Sequence, residues 1–261
     1  MILTVNIENA VISVGCSIGS RVLFTEETAA DRSRTELDHL LLFQEILNLH
    51  GISAGEIEGG IISSVVPALT DAVKAAFQRL CGKRFLVVGP GLKTGLSILM
   101  DNPAQVGNDL AVSAVAALEK YSAPLLVVSL GTANCICVIN EKKQYIGSII
   151  MPGMRVALEA LRHHAAQLPD ISIDPPKKLV GNNTVQSMKS GILYGTAASI
   201  DGMIARIEED QNMHFTVLMT GEYAEKVAGF CRTDNIRLEE TLLMDGLRII
   251  YEKNQKHAEN V

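Results

Sequence analysis

Ile2-Leu3-Thr4-Val5-Asn6-Ile7-Glu8-Asn9-Ala10-Val11-Ile12-Ser13-Val14-Gly15 opens the chain, and Leu125-Leu126-Val127-Val128-Ser129-Leu130-Gly131-Thr132 stands near its middle. Each is a short apolar, β-branched run that meets a polar turn, which is the signature of a buried strand entering a hairpin. The return strands are Val11–Gly15 in the first case and Asn134–Asn140 in the second. Arg21–Thr25 reads as a third strand of the first group. Gln144–Ile150 closes a hairpin around Glu141-Lys142-Lys143 in the second. Helical spacing of apolar residues follows each group: Thr35–Leu49, Pro67–Leu80 and Asp109–Glu119 in the first half, Pro152–Leu168, Thr184–Glu209 and Leu238–Lys253 in the second. Gly59–Ser63, Phe85–Val88 and Val217–Met219 read as further strands between helices.

Both halves therefore run strand, polar turn, strand, strand, helices. That order predicts an α/β chain built by duplication, with lobes 1–121 and 122–261, a boundary near Ser122-Ala123-Pro124 and a cleft between the lobes. A chain of 261 residues is long enough for two such domains.

Composition narrows the function. Lys and Arg number 23 against 29 Asp and Glu, a net charge of −6, and aromatics make up only 4%. A nucleic-acid partner calls for a basic patch or stacking rings, so none is expected. No apolar run reaches the roughly 18 residues of a membrane span, and no signal peptide is read, so a cytoplasmic protein is expected. Five cysteines in an odd, scattered set read as reduced thiols, and Cys135-x-Cys137 reads as core packing. The tail after Asn254 is expected to fray.

Several segments have residues suited to chemistry. Gly89-Pro90-Gly91-Leu92-Lys93-Thr94-Gly95 fits neither the Walker nor the dinucleotide spacing, yet a glycine-rich turn with one lysine suits an anion or a structural turn. Asp101-Asn102-Pro103 and Gly107-Asn108-Asp109 put carboxylates ahead of a helix, where they serve either as caps or, for Asp109, as a general base. Gly131-Thr132 and, more weakly, Thr220-Gly221 follow buried strands and offer backbone N–H groups to phosphate. His163-His164 reads as a solvated helix face.

Taken together these segments resemble the type III pantothenate kinases of the actin-like, sugar-kinase-like ATPase superfamily. The resemblance rests on Asp31-Arg32-Ser33-Arg34-Thr35, Ser63-Ser64-Val65-Val66-Pro67-Ala68-Leu69-Thr70, Gly89 to Leu96, Asp101-Asn102-Pro103 and Gly107-Asn108-Asp109. It continues through Met151-Pro152-Gly153-Met154, Leu168-Pro169, Gly181-Asn182-Asn183-Thr184, Ser190-Gly191, Tyr194-Gly195 and Gly246-Leu247-Arg248. It implies two ribonuclease-H-like lobes, a homodimer, and ATP-dependent phosphorylation of pantothenate on the way to coenzyme A. It implies Mg²⁺ and a monovalent cation, K+ or NH4+. By position, Asp109 corresponds to the residue that holds and deprotonates the pantothenate hydroxyl. Gly89, Gly91, Lys93, Thr94 and Gly107 line the substrate pocket, and Thr184 reaches pantothenate from the second subunit. The nucleotide positions are Asn6, Glu8, Asn9, Gly131, Thr132 and Gly221, with Ser129 at the monovalent-cation position.

The sequence departs from the family pattern at these sites. The first phosphate motif, Asp-x-Gly-Asn-Thr in the family, is Asn6-Ile7-Glu8-Asn9-Ala10. Ser129 replaces an Asp, Gly221-Glu222 replaces Gly-Gly, Leu110 replaces an Arg and Met100 an aromatic residue. A neutral amide is a poor partner for a hard cation, and Leu110 makes no charge-assisted bonds. Glu8 sets a negative charge against phosphate, at a cost of about 1–4 kcal/mol per charge pair at ~4 Å. Very weak binding of Mg²⁺-ATP and very slow turnover are expected. The alternative function is that of a catalytically impaired paralogue that binds or regulates.

Overall fold

The computed structural model describes residues 1–258. Contacts divide the chain into two compact units. One comprises Met1–Leu96, Asp101–Glu119 and the segment from Thr241 onward, and the other Ser97–Met100 and Lys120–Glu240.

In the first unit, β1 (Ile2–Ile7), β2 (Val11–Ile18) and β3 (Arg21–Ala29) form an antiparallel meander. Helix α1 (Glu36–Leu49) leads to β4 (Gly59–Ser64), which returns parallel to β1. Helix α2 (Pro67–Cys81) leads to β5 (Phe85–Val87), parallel to β4, giving the order β3-β2-β1-β4-β5. Local chemistry sets the helix ends. Thr35 and Asp38 form a capping box ahead of α1, Pro67 occupies the first turn of α2, and Gly82 ends it in the left-handed region. Leu3, Val5 and Ile7 of β1 and Ile12, Val14 and Cys16 of β2 share one core with α1 and α2, within which Phe43 stacks on Phe77 at 4.0 Å. Helix α3 (Asn108–Lys120) follows the loop after β5.

The second unit repeats the plan. After the short β6 (Ser97–Ile98), strands β7 (Leu125–Leu130), β8 (Ala133–Ile139) and β9 (Gln144–Pro152) form the meander. Helices α4 (Met154–His164) and α5 (Thr184–Gln211) precede β10 (Thr216–Thr220), parallel to β7. Helix α6 (Ala224–Ala228) precedes β11 (Arg237–Leu238), parallel to β10. The order is β11-β10-β7-β8-β9-β6, so apart from the added β6 it matches the first sheet strand for strand. Leu126, Val128 and Leu130 pack with Leu193, Ala197, Ile200 and Ile204 of α5 in this unit's core.

The final helix, α7 (Leu242–Ala258), belongs to the first unit, where it lies against β1 and β4. Its position could not be read from chain order, which assigned it to the second lobe. Thr4 Oγ1 of β1 lies 3.2 Å from Met244 Sδ, and a Cβ on Gly246 would stand 2.1 Å from the Val112 carbonyl oxygen of α3. Two further expectations are corrected. Pro152 pairs with Ala133 as part of β9, so the helix expected over Pro152–Leu168 runs only from Met154 to His164. Arg237 and Leu238 pair with β10, which delays the last helix to Leu242.

The Gly246 contact gives a direct test. Gly246→Ala should lower the unfolding free energy by about 1–3 kcal/mol, read by urea denaturation, because helix backbone rather than a yielding side chain opposes the added methyl. An unchanged midpoint and slope would contradict the close approach of α7 to α3.

Candidate active site

Strand β1 is the middle strand of its sheet, and its last polar residue, Asn6, is fully buried between Ser13 of β2 and Ser63 of β4 in the ladder. The chain then turns, closed by a bond from Glu8 N to Val11 O of 2.9 Å. Across this turn Asn6 Nδ2 donates to Glu8 Oε1 at 2.9 Å. Because a carboxylate only accepts, the amide nitrogen must face Glu8 and Oδ1 must face away. Asn6 Oδ1 and Ser63 Oγ are both buried without a hydrogen-bond partner among the described residues. Asn9 and Ala10 are exposed.

Asn108 and the residues on either side of it lie at the ends of β4 and β5. Val88 N donates to Ile62 O at 2.8 Å, and Asn108 Nδ2 reaches Ser64 O at 3.2 Å and Val88 O at 3.4 Å. Asn108 thereby ties the start of α3 to both strand ends. Asp109 is the next residue. Its Oδ1 lies 2.6 Å from the position a Cβ would take on Gly107, so the glycine is what lets the carboxylate fold back. Burial pushes the Asp109 carboxyl above its ordinary range, against the opposing pull of the backbone N–H groups of Leu110 and of Asp109 itself. The cap and base readings of Asp109 are thus compatible in one geometry. Leu110 is buried in the core. The loop from Gly89 to Gly95 is closed by Leu92 N to Gly89 O (3.1 Å) and Leu96 N to Thr94 Oγ1 (3.2 Å), with Gly91 and Gly95 at positive φ.

In the second unit the turn Gly131-Thr132 joins β7 to β8 directly after Ser129 and Leu130. Two glycines approach its backbone. A Cβ on Gly153 would lie 2.1 Å from Gly131 O, and one on Gly221, at φ +100, would lie 2.4 Å from Leu130 O. The ends of β7, β9 and β10 therefore meet at one turn. Glu222 bonds to Arg155 of α4 at 2.8 Å, and Arg155 NH2 also donates to Tyr223 Oη at 2.9 Å. Sequence reasoning does not single out Ser63 and Asn108 of the first unit or Arg155 of the second, each of which acts through a contact far away in the chain or through burial.

Thr184 lies exposed on the first turn of α5, behind Asn183, whose side chain caps Gln186 N at 2.9 Å. His163 and His164 are exposed, as expected, and their rings meet edge to face at 4.9 Å. All five cysteines are free thiols.

The donor chemistry at the cation positions is poor. A divalent ion such as Mg²⁺ prefers carboxylates, and here the β1 position offers one amide oxygen while Glu8 is engaged by the same amide. The monovalent-cation position offers the hydroxyl of Ser129 in place of a carboxylate. The described residues contain no cluster of three or more His, Cys, Asp or Glu suited to a metal. These donors do not fit the ions that the resemblance implies.

Two ribonuclease-H-like units, each with a polar turn at the end of its first strand, define the actin-like, sugar-kinase-like ATPase class. Solved structures agree on this fold. The activator of 2-hydroxyisocaproyl-CoA dehydratase from Clostridium difficile, with bound ADPNP, superposes with a TM-score of 0.58 at 8% identity over 99% of this chain and 97% of its own. Component A of (R)-2-hydroxyglutaryl-CoA dehydratase from Acidaminococcus fermentans gives 0.56 at 11% identity over 95% and 96%.

Residues 2–206 match the family model for type III pantothenate kinase. A type III pantothenate kinase from Exiguobacterium sp. AT1b is 38% identical over 98% of this chain and 100% of its own length. One from Bacillus cytotoxicus is 42% identical over 86% and 85%. The chain belongs to the type III pantothenate kinase family, whose reaction is ATP-dependent and feeds coenzyme A biosynthesis.

Two measurements test this geometry. Asn6→Asp alone places a second carboxylate against Glu8 and should destabilise the fold by about 1–4 kcal/mol at neutral pH, with Glu8→Gly restoring the loss. Additive effects of the two changes in thermal melts would show that the pair is not coupled. Asp109→Asn should raise stability at neutral pH, because a carboxyl with a raised folded pKa favours folding only while protonated. Its contribution is complete below the unfolded value of 3.8 and is lost as pH rises through the folded one. The difference between variant and wild type should therefore close as pH falls to about 4 and below. A pH-independent difference would contradict the burial of this charge.

Proposed function

We propose that this chain has the layout of an ATP-dependent pantothenate kinase, keeps the acceptor side of that enzyme, and has lost the phosphate side. Its phosphorylation of pantothenate is then severely impaired, and it acts chiefly by binding. One observation carries the reading: the Asn6 amide is bonded to Glu8 at the turn where the family places a carboxylate and a glycine. Phosphoryl transfer depends mostly on positioning and electrostatic stabilisation, and a carboxylate at this turn opposes both for a triphosphate.

In this reading Asp109 accepts the proton of the pantothenate hydroxyl, and its raised pKa suits a base that must also release that proton. Gly107 gives the carboxylate its room, Asn108 fixes the helix that carries it, and the loop bearing Gly89, Gly91, Lys93 and Thr94 lines the acceptor. Thr184 completes the acceptor site from a second copy in a homodimer in the cytoplasm. The turn Gly131-Thr132, with Gly221, retains backbone donors for phosphate. Ser129 no longer holds K+ or NH4+, and Mg²⁺ enters only weakly with ATP.

The second reading, ordinary kinase turnover, is favoured by the retained geometry of Asp109. Calorimetric titration of the full chain with Mg²⁺-ATP, with and without pantothenate, separates the two. We expect scarcely measurable ATP binding. Joint replacement Asn6→Asp, Glu8→Gly, Ser129→Asp and Leu110→Arg should tighten it by tenfold or more, roughly 1.4 kcal/mol. Saturable phosphorylation of pantothenate by the unaltered protein at rates ordinary for a kinase, on the order of 1–100 s⁻¹, decides for the second reading.

A further inference from the structure

The loop from Gly89 to Leu96 is held by the last turns of α7, more than a hundred residues away in sequence. Asn254 Nδ2 donates to Lys93 O at 3.0 Å, and Lys93 N donates to Asn254 Oδ1 at 3.2 Å. The side-chain amide thus pairs with the backbone of Lys93 as a neighbouring β-strand would, through one donor and one acceptor. Asn254 Nδ2 is also held by Ile250 O of its own helix at 2.7 Å, which fixes the amide's orientation. Beside this clasp the Lys253 side chain passes over Gly95. Its Nζ lies 3.1 Å from the position a Cβ would occupy there, and Gly95 itself is at φ +77.

The two ends of the loop are therefore fixed from different places. Val88 is fixed by Ile62 of β4 and by Asn108, the residue before Asp109. Lys93 is fixed by Asn254. Between them the loop has the backbone bond Leu92 N to Gly89 O and one glycine at positive φ, Gly91, with Gly95 just beyond Lys93; such glycines favour many conformations unless something external selects one. We propose that Asn254 is a positioning residue for the acceptor: it selects the loop conformation that faces Asp109. The end of α7 is then part of the substrate site without touching the reacting atoms. This rests on the acceptor-side reading given above.

The clasp is the last residue before the polar tail read from the sequence. Apolar periodicity gives no hint of it, because Asn254 acts through an amide on a helix whose other contacts are with β1 and β4.

The test uses the full chain and two variants. Asn254→Ala removes both bonds, whereas Asn254→Asp keeps an acceptor for Lys93 N and loses the donor to Lys93 O. Hydrogen exchange followed by mass spectrometry reads the loop, and calorimetry reads pantothenate binding. In Asn254→Ala, amides of 89–96 should exchange about tenfold faster while those of β1 and β4 stay protected, and pantothenate should bind about tenfold more weakly. Asn254→Asp should fall between. Unchanged loop exchange overturns the proposal. So does faster exchange with unchanged pantothenate affinity, since the role would then be structural only. A wild type that takes up no pantothenate overturns the acceptor-side reading, and this proposal with it. An unaffected variant in a wild type that binds overturns this proposal alone.

Discussion

A polar side chain at the end of a central strand has few places to turn. Asn6 is fully buried, with β2 on one side and β4 on the other, and both ladder neighbours are serines. In a binding site such a group faces the ligand. Here its Nδ2 is bonded to Glu8, two residues along the same chain, while Oδ1 has no partner among the described residues. The two residues are interdependent. An amide accommodates a carboxylate neighbour at 2.9 Å, whereas a second carboxylate would be repelled by it. Asn6 and Glu8 are thus one unit, and under the proposed reading their effects on phosphate and its counter-ion are not two separate losses.

The second unit meets the same topological problem with backbone. Its turn after β7 is crowded by Gly153 and Gly221, whose missing side chains allow carbonyl and α-carbon to come closer than any Cβ permits. That packing does not depend on what Ser129 or Glu222 supply. Glu222 is instead absorbed by Arg155 and Tyr223, an exposed arrangement that adds little to stability but fixes where its charge lies. The turn's shape and its charge are set by different residues, so the shape can persist while the charge changes.

This separation explains what could be read from the sequence. The strands of both meanders and the helices α1, α2, α3 and α5 announce themselves through apolar periodicity and caps, and the duplication follows from their order. Arg237 and Leu238 are a strand only because β10 lies beside them, and Pro152 is part of β9 only because Ala133 pairs with it. The location of α7 depends on Gly246 fitting against Val112, a contact between residues far apart in the chain. The Asn108, Arg155 and Asn254 clamps share this property. Each is one polar side chain reaching backbone or charge at long range, and one residue carries no periodicity to detect. Motif order, not pattern, brought Asp109 and the glycine turns to notice.

The start of α3 and the turn at Glu8 differ in how the fold constrains them. Changing Asn108 would strip Ser64 O and Val88 O of a donor at the junction of two strands and a helix. Changing Gly107 would drive a Cβ into the Asp109 carboxylate. Stability alone therefore favours keeping Asn108, whether or not any reaction takes place beside it. The turn at Glu8 closes through backbone N–H and C=O whatever its side chain, and Asn9 and Ala10 beside it are exposed. Packing therefore constrains the side chains of Asn9 and Ala10 little. Asp109 is different: burial of its charge costs stability at neutral pH, so the fold does not account for its presence.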